Sequence, residues 1–243
     1  MTANGASGQA SQRPFSEAER RAVYRAVHER RDIRSQFLPT PVPDDVLGRI
    51  LLAAHHAPSV GFMQPWDFIL IRDVAVRTAI RENFLGANRL AAAKYSGEQR
   101  ALYESLKLEG ILSAPLNLCV TCDRTRSLGS GLGRQSVPET DLFSVVCAIQ
   151  NLWLAARAES LGVGWVSILD QDLLRSVLKI PLHVTPVAYL CLGYVSEFPA
   201  VPELEEKGWC RRESLASLIH FDRWDVQDHA RAALLGAPAE DRA

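Results

Sequence analysis

Residues 141–159 read DLFSVVCAIQNLWLAARAE, and their spacing predicts a helix with apolar side chains on nearly every face. A helix that is hydrophobic all round offers no side to water, so its own core or a second subunit must enclose it. The 243 residues of the chain supply enough material, because a domain of this size buries roughly 70–75% of its unfolded surface. Whatever else the chain forms has to be laid around this rod.

Periodicity and punctuation supply the wrapping. Ser16 with Glu19 fits a capping box, and Ala22, Val23, Ala26 and Val27 continue it as an apolar helical face. After the proline-rich LPTPVP, the positions Val46, Leu47, Ile50, Leu51 and Ala54 mark a second helix ending near His55 and His56. DFILI reads as a short buried strand, residues 74–112 as a polar helical region broken at Ser96 and Gly97, and LNLCVTC as a second strand. VGWVSIL is extended, a helix runs from about Asp172 to Lys179, and VAYLCLGYV has the β-branched and aromatic content of another strand. Strands and helices mix without βαβ alternation or an internal repeat, which predicts an α+β fold, a central mixed sheet sandwiched by helices. The expected boundaries are a disordered N-terminal tail at residues 1–14, one domain over 15–225 and a C-terminal tail over 226–243.

Several function classes fall away on composition. Lys and Arg total 27 against 28 Asp and Glu, a formal net charge of −1, so no global field draws the chain to nucleic acid or anionic lipid. Five cysteines, odd in number and scattered through apolar segments, point to a reducing compartment and a cytoplasmic protein rather than a disulfide framework. Cys119 and Cys122 form a CxxC, but residues three apart on a strand face opposite sides and chelate poorly, so no metal is expected. No apolar run approaches membrane-spanning length. The glycines of SLGSGLGRQSVPE lack the dinucleotide spacing and a GK[ST], which leaves a mobile loop.

Against this neutral background, HERRDIRSQF at residues 28–37 gathers Arg30, Arg31 and Arg34 around Asp32 at the end of the first helix. Guanidinium forks match phosphate oxygens two at a time, so such a cluster suits a phosphate ester. The alternative is a solvated helix end with a surface ion pair, worth ~0–1 kcal/mol. APSVGFMQPW at 57–66 then offers a small hydroxyl, a glycine that admits close backbone approach and an apolar pair, a combination able to line one edge of a flat ring.

In order along the chain, RRDIR, APSVGFMQPW and GVGWVSI resemble the FMN-binding signature of the nitroreductase-like flavoproteins, which commonly reads RRSxR and then APSxxNxQPW. The resemblance runs from about residue 20 to residue 215. Asp32 stands where the common pattern has serine, and Phe62 where it has a ring-binding asparagine. With GRQSVPETDLFSVVCAIQNLWLAARAESLGVGWVSI, these departures resemble the flavin-destroying branch, the 5,6-dimethylbenzimidazole synthases. That branch consumes reduced FMN with O2, makes the lower ligand of vitamin B12 and releases erythrose 4-phosphate. Membership implies a homodimer with the site at the subunit interface, and electrons drawn ultimately from NAD(P)H, with a separate flavin reductase as a candidate partner. An FMN-dependent NAD(P)H nitroreductase and a flavin carrier without turnover are the competing functions.

The resemblance also implies contacts, residue by residue. Arg30, Arg31 and Arg34, with Asp32 and Ile33 between them, would hold the phosphate, the ribityl oxygens and the pyrimidine side of FMN, and Arg211 in WCRRES would close over the phosphate. Ser59 and Gly61 would meet one ring edge, Val166 and Ser167 the opposite, reactive edge, and Leu108 would belong to a lid. Asp32 and Ser167 are the expected catalytic pair. Asp32 would accept a proton while aimed at the ribityl chain, and Ser167 would position the oxygen adduct or the migrating proton by hydrogen bonding.

Overall fold

The computed structural model describes residues 13–126 and 128–236. Among them lie the helices α1 Glu17–Glu29, α2 Asp44–His55, α3 Val74–Ala92, α4 Gly97–Ser105, α5 Thr140–Ala158, α6 Gln171–Leu178, α7 Glu203–Glu206 and α8 His229–Gly236. The strands are β1 Trp66–Ile71, β2 Leu116–Asp123, β3 Leu161–Val166 and β4 Val184–Tyr194, joined in one sheet of order β1-β2-β4-β3. All pairings between these strands are antiparallel. The parallel component of the expected mixed sheet is a single bridge from Asp32 to Val163, because a bend at Arg34 and Ser35 carries the segment away before it becomes a strand. A second bridge, Phe37 to Val195, fastens the far end of that segment.

Side chains alternate across the sheet as the pleat requires. Leu118, Val120 and Cys122 of β2, with Ala188, Leu190 and Leu192 of β4, enter one core, while Cys119, Tyr189 and Cys191 enter the other. The two thiols of the CxxC therefore face opposite cores. Helices α2 and α5 close the first core, and α3 and α6 close the second, which gives the expected sheet between helical layers.

Local signals set the helix ends. The N–H of Glu19 donates to Ser16 Oγ at 3.3 Å and the Glu19 carboxylate accepts the Ser16 N–H at 2.6 Å, so the capping box forms. Ser96 occupies the N-cap position of α4, which ends the preceding helical run where the sequence breaks. Asp170 caps α6 by accepting the N–H groups of Asp172 and Leu173. Beyond residue 225, α8 packs on the short 3-10 turn Leu215–Leu218, with Ala232 buried and the Arg231 guanidinium 4.4 Å from the Phe221 ring.

The chain's own core encloses helix α5 on one side only. Ala148, Ile149, Leu152 and Ala156 are fully covered by the first core, yet Phe143, Val146 and Cys147 form a stripe open to solvent. Helix α1 likewise buries none of its residues, and Val23 and Val27 lie exposed. None of the described helices is long and apolar enough to cross a membrane. The expected N-terminal tail lies outside the described residues except at Arg13 and Pro14.

Candidate functional site

Helix α1 ends at Glu29, and the next residues run along the open edge of β3. The Ile33 N–H donates to Val163 O at 3.0 Å, and the Trp165 N–H donates to Asp32 Oδ1 at 2.9 Å. Ile33 anchors the segment, since its side chain is fully buried in the second core, leaving only its backbone for any ligand. The approach is close enough that a Cβ on residue 164 would sit 2.0 Å from Ile33 O. Gly164 is thus the condition on which the arginine segment docks, and this explains physically why GVGWVSI and RRDIR belong together.

The three arginines part company. Arg34 grips both carboxylate oxygens of Asp32 with its fork, and its own side chain is 14% exposed against 41% for Asp32. Arg31 turns the other way, donating to His28 O at 2.7 Å, Arg30 O at 2.8 Å and Ala200 O, while its buried Nε has no partner. Arg30 lies 4.8 Å over the ring of Trp153, whose indole N–H donates to Arg31 O at 3.2 Å. The Arg30 guanidinium is half-buried and has no hydrogen-bond acceptor among the described residues. Burial pulls it below the ordinary arginine range, Asp32 acts in the opposite sense, and the charges of Arg31 and Arg212 add to the lowering. A cation in that position gains by acquiring an anion.

Asp32 and Arg34 line a cavity of about 120 Å³ together with Lys107, Leu108, Pro202, Glu203 and Leu204. Leu108 reaches it from the irregular segment after α4, so its place is the cavity wall and not a helix face. Lys107 is held 3.4 Å from the buried carboxylate of Glu109. Further along β3, the Val166 side chain is buried in the second core and only its backbone is available, whereas Ser167 emerges exposed at the strand's end. The backbones of Val163 and Trp165 lie on the edge that receives residues 32–34, and beyond the strand Ser167 O accepts the Leu169 N–H at 3.0 Å.

Ser59 and Gly61 are assembled at a different place. The Val60 N–H donates to Ser144 Oγ at 3.0 Å near the start of α5, and Ser59 Oγ accepts the Gln64 N–H at 3.1 Å. Gly61, Phe62 and Gln64 all have positive φ, which turns the exposed Phe62 ring outward. The glycine-rich segment lies against this turn, for a Cβ on Gly129 would stand 1.7 Å from Gly61 O. Ser144 and Trp153 are nine residues apart on α5, about 14 Å at 1.5 Å per residue. Within one chain, the 59–62 turn and the arginine segment therefore belong to opposite ends of α5.

In the tail, Arg211 is exposed and makes no side-chain hydrogen bond among the described residues, and it is the charge of Arg212 that acts on Arg30. An RR doublet gives no means of choosing between its members from sequence. Trp153, Lys107 and Glu203 were equally silent there, since each is placed by tertiary contacts alone. Gly164 had a readable signal, a glycine inside a strand pattern, which marks close backbone approach.

The chain matches the Nitroreductase family over residues 27–194. A 5,6-dimethylbenzimidazole synthase from Rhodospirillum rubrum is 46% identical over 183 residues, covering 75% of this chain and 86% of that protein. One from Rhodobacter capsulatus is 40% identical over 195 residues, covering 80% and 94%. Among solved structures, an oxidized iodotyrosine deiodinase bound to FMN and 3-iodo-L-tyrosine superposes with a TM-score of 0.65 at 20% identity, covering 84% of this chain and 99% of that one. Since the shared region contains the docked arginine segment, the glycine that admits it and the sheet beneath both, this chain belongs to the nitroreductase family.

Proposed function

We propose that this chain takes reduced FMN as a substrate and, with O2, fragments it to 5,6-dimethylbenzimidazole and erythrose 4-phosphate. The observation that carries this is the setting of Asp32. Two hydrogen bonds from Arg34 and one from the Trp165 N–H fix its carboxylate in one orientation beside a cavity, at a position where a simple flavin reductase has serine. The synthases at 46% and 40% identity support the same activity.

The donor set fits FMN. Arg30, half-buried and without an acceptor, suits the phosphate, with Arg212 as the tail arginine whose charge acts on it. Arg34 and the backbone of Ile33 would lie along the ribityl chain, Leu108 over it, and Ser59 and Gly61 at a ring edge. The backbone of Val166 and the hydroxyl of Ser167 would face the reactive edge. Bound flavin supplies the electrons for O2 and the carbon atoms of the product. The protein's part is to hold the ring, to exclude water and to move protons: Asp32 takes one from the ribityl side, and Ser167 donates a hydrogen bond where oxygen reacts. The same proposal includes a homodimer that completes the site, a cytoplasmic setting, and electrons delivered from NAD(P)H through a separate flavin reductase.

Chromatography of the products of a single aerobic turnover tests it. Wild-type protein given reduced FMN should yield 5,6-dimethylbenzimidazole in amounts limited by FMN. Asp32→Asn keeps the shape and removes the base, so it should bind FMN, react with oxygen and return intact oxidised FMN. A wild type that makes no benzimidazole and cycles nitro compounds with NAD(P)H would instead be a nitroreductase.

A further inference from the structure

We propose that Arg31 is a positioning residue, a latch that holds residues 198–209 as one wall of the Asp32 cavity, and that it makes no contact with the flavin phosphate. This rests on the cavity being the flavin site, and it departs from the role that the family resemblance gives to this arginine. Arg31 spends its guanidinium on three carbonyls, two in its own segment and one, Ala200 O, on the strap that follows β4. Two to four residues beyond Ala200, Pro202, Glu203 and Leu204 line the same cavity as Asp32 and Leu108.

The strap has few other fastenings. At its start the Arg157 guanidinium lies 4.0 Å from the Phe198 ring and bonds Glu29 at 2.6 Å, tying the strap to α1 and α5. At its end the Trp209 N–H donates to Leu204 O at 2.8 Å, and the indole packs 5.4 Å from Tyr95 and 6.1 Å from Tyr103. Tyr103 belongs to α4, the helix that leads directly to Leu108. One aromatic cluster thus ties α4, which leads to Leu108, to the strap that carries Pro202, Glu203 and Leu204, and Arg31 ties that strap to the segment of Asp32 and Arg34. The strap itself offers only the four-residue α7 and buries no large apolar side chain completely, so it holds its place through these ties. Of the three arginines, Arg31 gives its donors to three carbonyls, Arg34 gives its fork to Asp32 with one long bond to Ile33 O at 3.4 Å, and Arg30 has no acceptor among the described residues.

Hydrogen exchange and flavin titration, made on wild type, Arg31→Ala, Arg31→Lys and Trp209→Ala, separate a latch from a ligand. In the flavin-free proteins, exchange across residues 198–209 should speed up by about tenfold in Arg31→Ala and in Trp209→Ala, with exchange in β2 and β4 unchanged. Arg31→Lys keeps the charge but cannot reach three carbonyls, so it should loosen the strap as well. Reduced-FMN and riboflavin affinities should fall by the same factor in Arg31→Ala, because a latch gives the phosphate no contact to lose. In the double variant Arg31→Ala with Trp209→Ala the losses should fall short of additive, as expected for two ties on one strap. Unchanged strap exchange in both Arg31 variants, or a loss confined to FMN with riboflavin spared, would overturn the latch. If wild type binds neither flavin, the flavin site itself is refuted, and the exchange measurements still decide whether Arg31 holds the strap.

Discussion

Three arginines within five positions look equivalent on paper, and the fold gives each a different neighbour. Arg34 is committed to Asp32, Arg31 to carbonyls, and Arg30 rests on Trp153 with its donors free. Replacing Arg30 by alanine should therefore weaken FMN binding by about tenfold or more while riboflavin binding changes little, since losing one charge-assisted bond costs ~1.5–3 kcal/mol and 1.4 kcal/mol is one decade. Equal losses for the two flavins in isothermal titration would place Arg30 at the ring. Arg34→Ala is a less clean experiment, for it also frees the carboxylate of Asp32 and should cost turnover beyond its cost in affinity. The sequence made the cluster and the unusual Asp32 legible because residue identity alone carried them. It did not show which way each side chain points, which depends on where β3, Trp153 and the strap arrive from elsewhere in the chain.

Elements were more readable than side chains, because each has its own signal. The capping box of α1, the break at Ser96 and the pleated alternation of β2 all rest on neighbours in sequence. The order of strands and the docking of residues 32–37 on an edge rest on distant partners, and periodicity says nothing of those. The β2 and β4 thiols give the sheet a pH signature. Burial pushes Cys119, Cys122 and Cys191 from 9.0 up to about 12. Between those values the unfolded chain has lost these protons and the folded chain keeps them, so the folded state binds more protons and its stability falls as pH rises. Their contribution is complete below about pH 9 and is lost on the way to about pH 12. Urea denaturation should show a lower midpoint at about pH 10.5 than at about pH 8, and Cys119→Ala with Cys191→Ala should flatten that difference even where it lowers stability overall. A midpoint that is level across this range would mean the thiols are not held protonated by the cores.

At the scale of the whole molecule, helix α5 is the spine from which both parts of the site are hung, the 59–62 turn at Ser144 and the arginine segment at Trp153. Its apolar character was plain in the sequence, but the side left open was not, because every face carried the same kind of residue. The cavity of about 120 Å³ is well short of the ~300–1,000 Å³ usual for a small-molecule site. Phe143 and Val146 on α5 and Val23 and Val27 on α1 remain exposed. In the proposed homodimer, a twofold axis that packed α5 against its copy in antiparallel fashion would answer all of these together, since it would set the Ser144 end of one helix beside the Trp153 end of the other. The 59–62 turn of one chain would then come beside the arginine segment of the other, and the open stripe of α5 would be covered. Light scattering of the flavin-free protein should accordingly report a dimer. Thiol labelling should find Cys210 reactive and Cys147, exposed in the single chain and covered in the proposed dimer, at least about tenfold slower. Phe143→Glu should dissociate the dimer and abolish FMN binding together, although residue 143 is on the open stripe and not at the arginine segment. A stable monomer that binds FMN, or a Cys147 that labels as fast as Cys210, would show that one chain builds the whole site and that the open stripe of α5 serves something else.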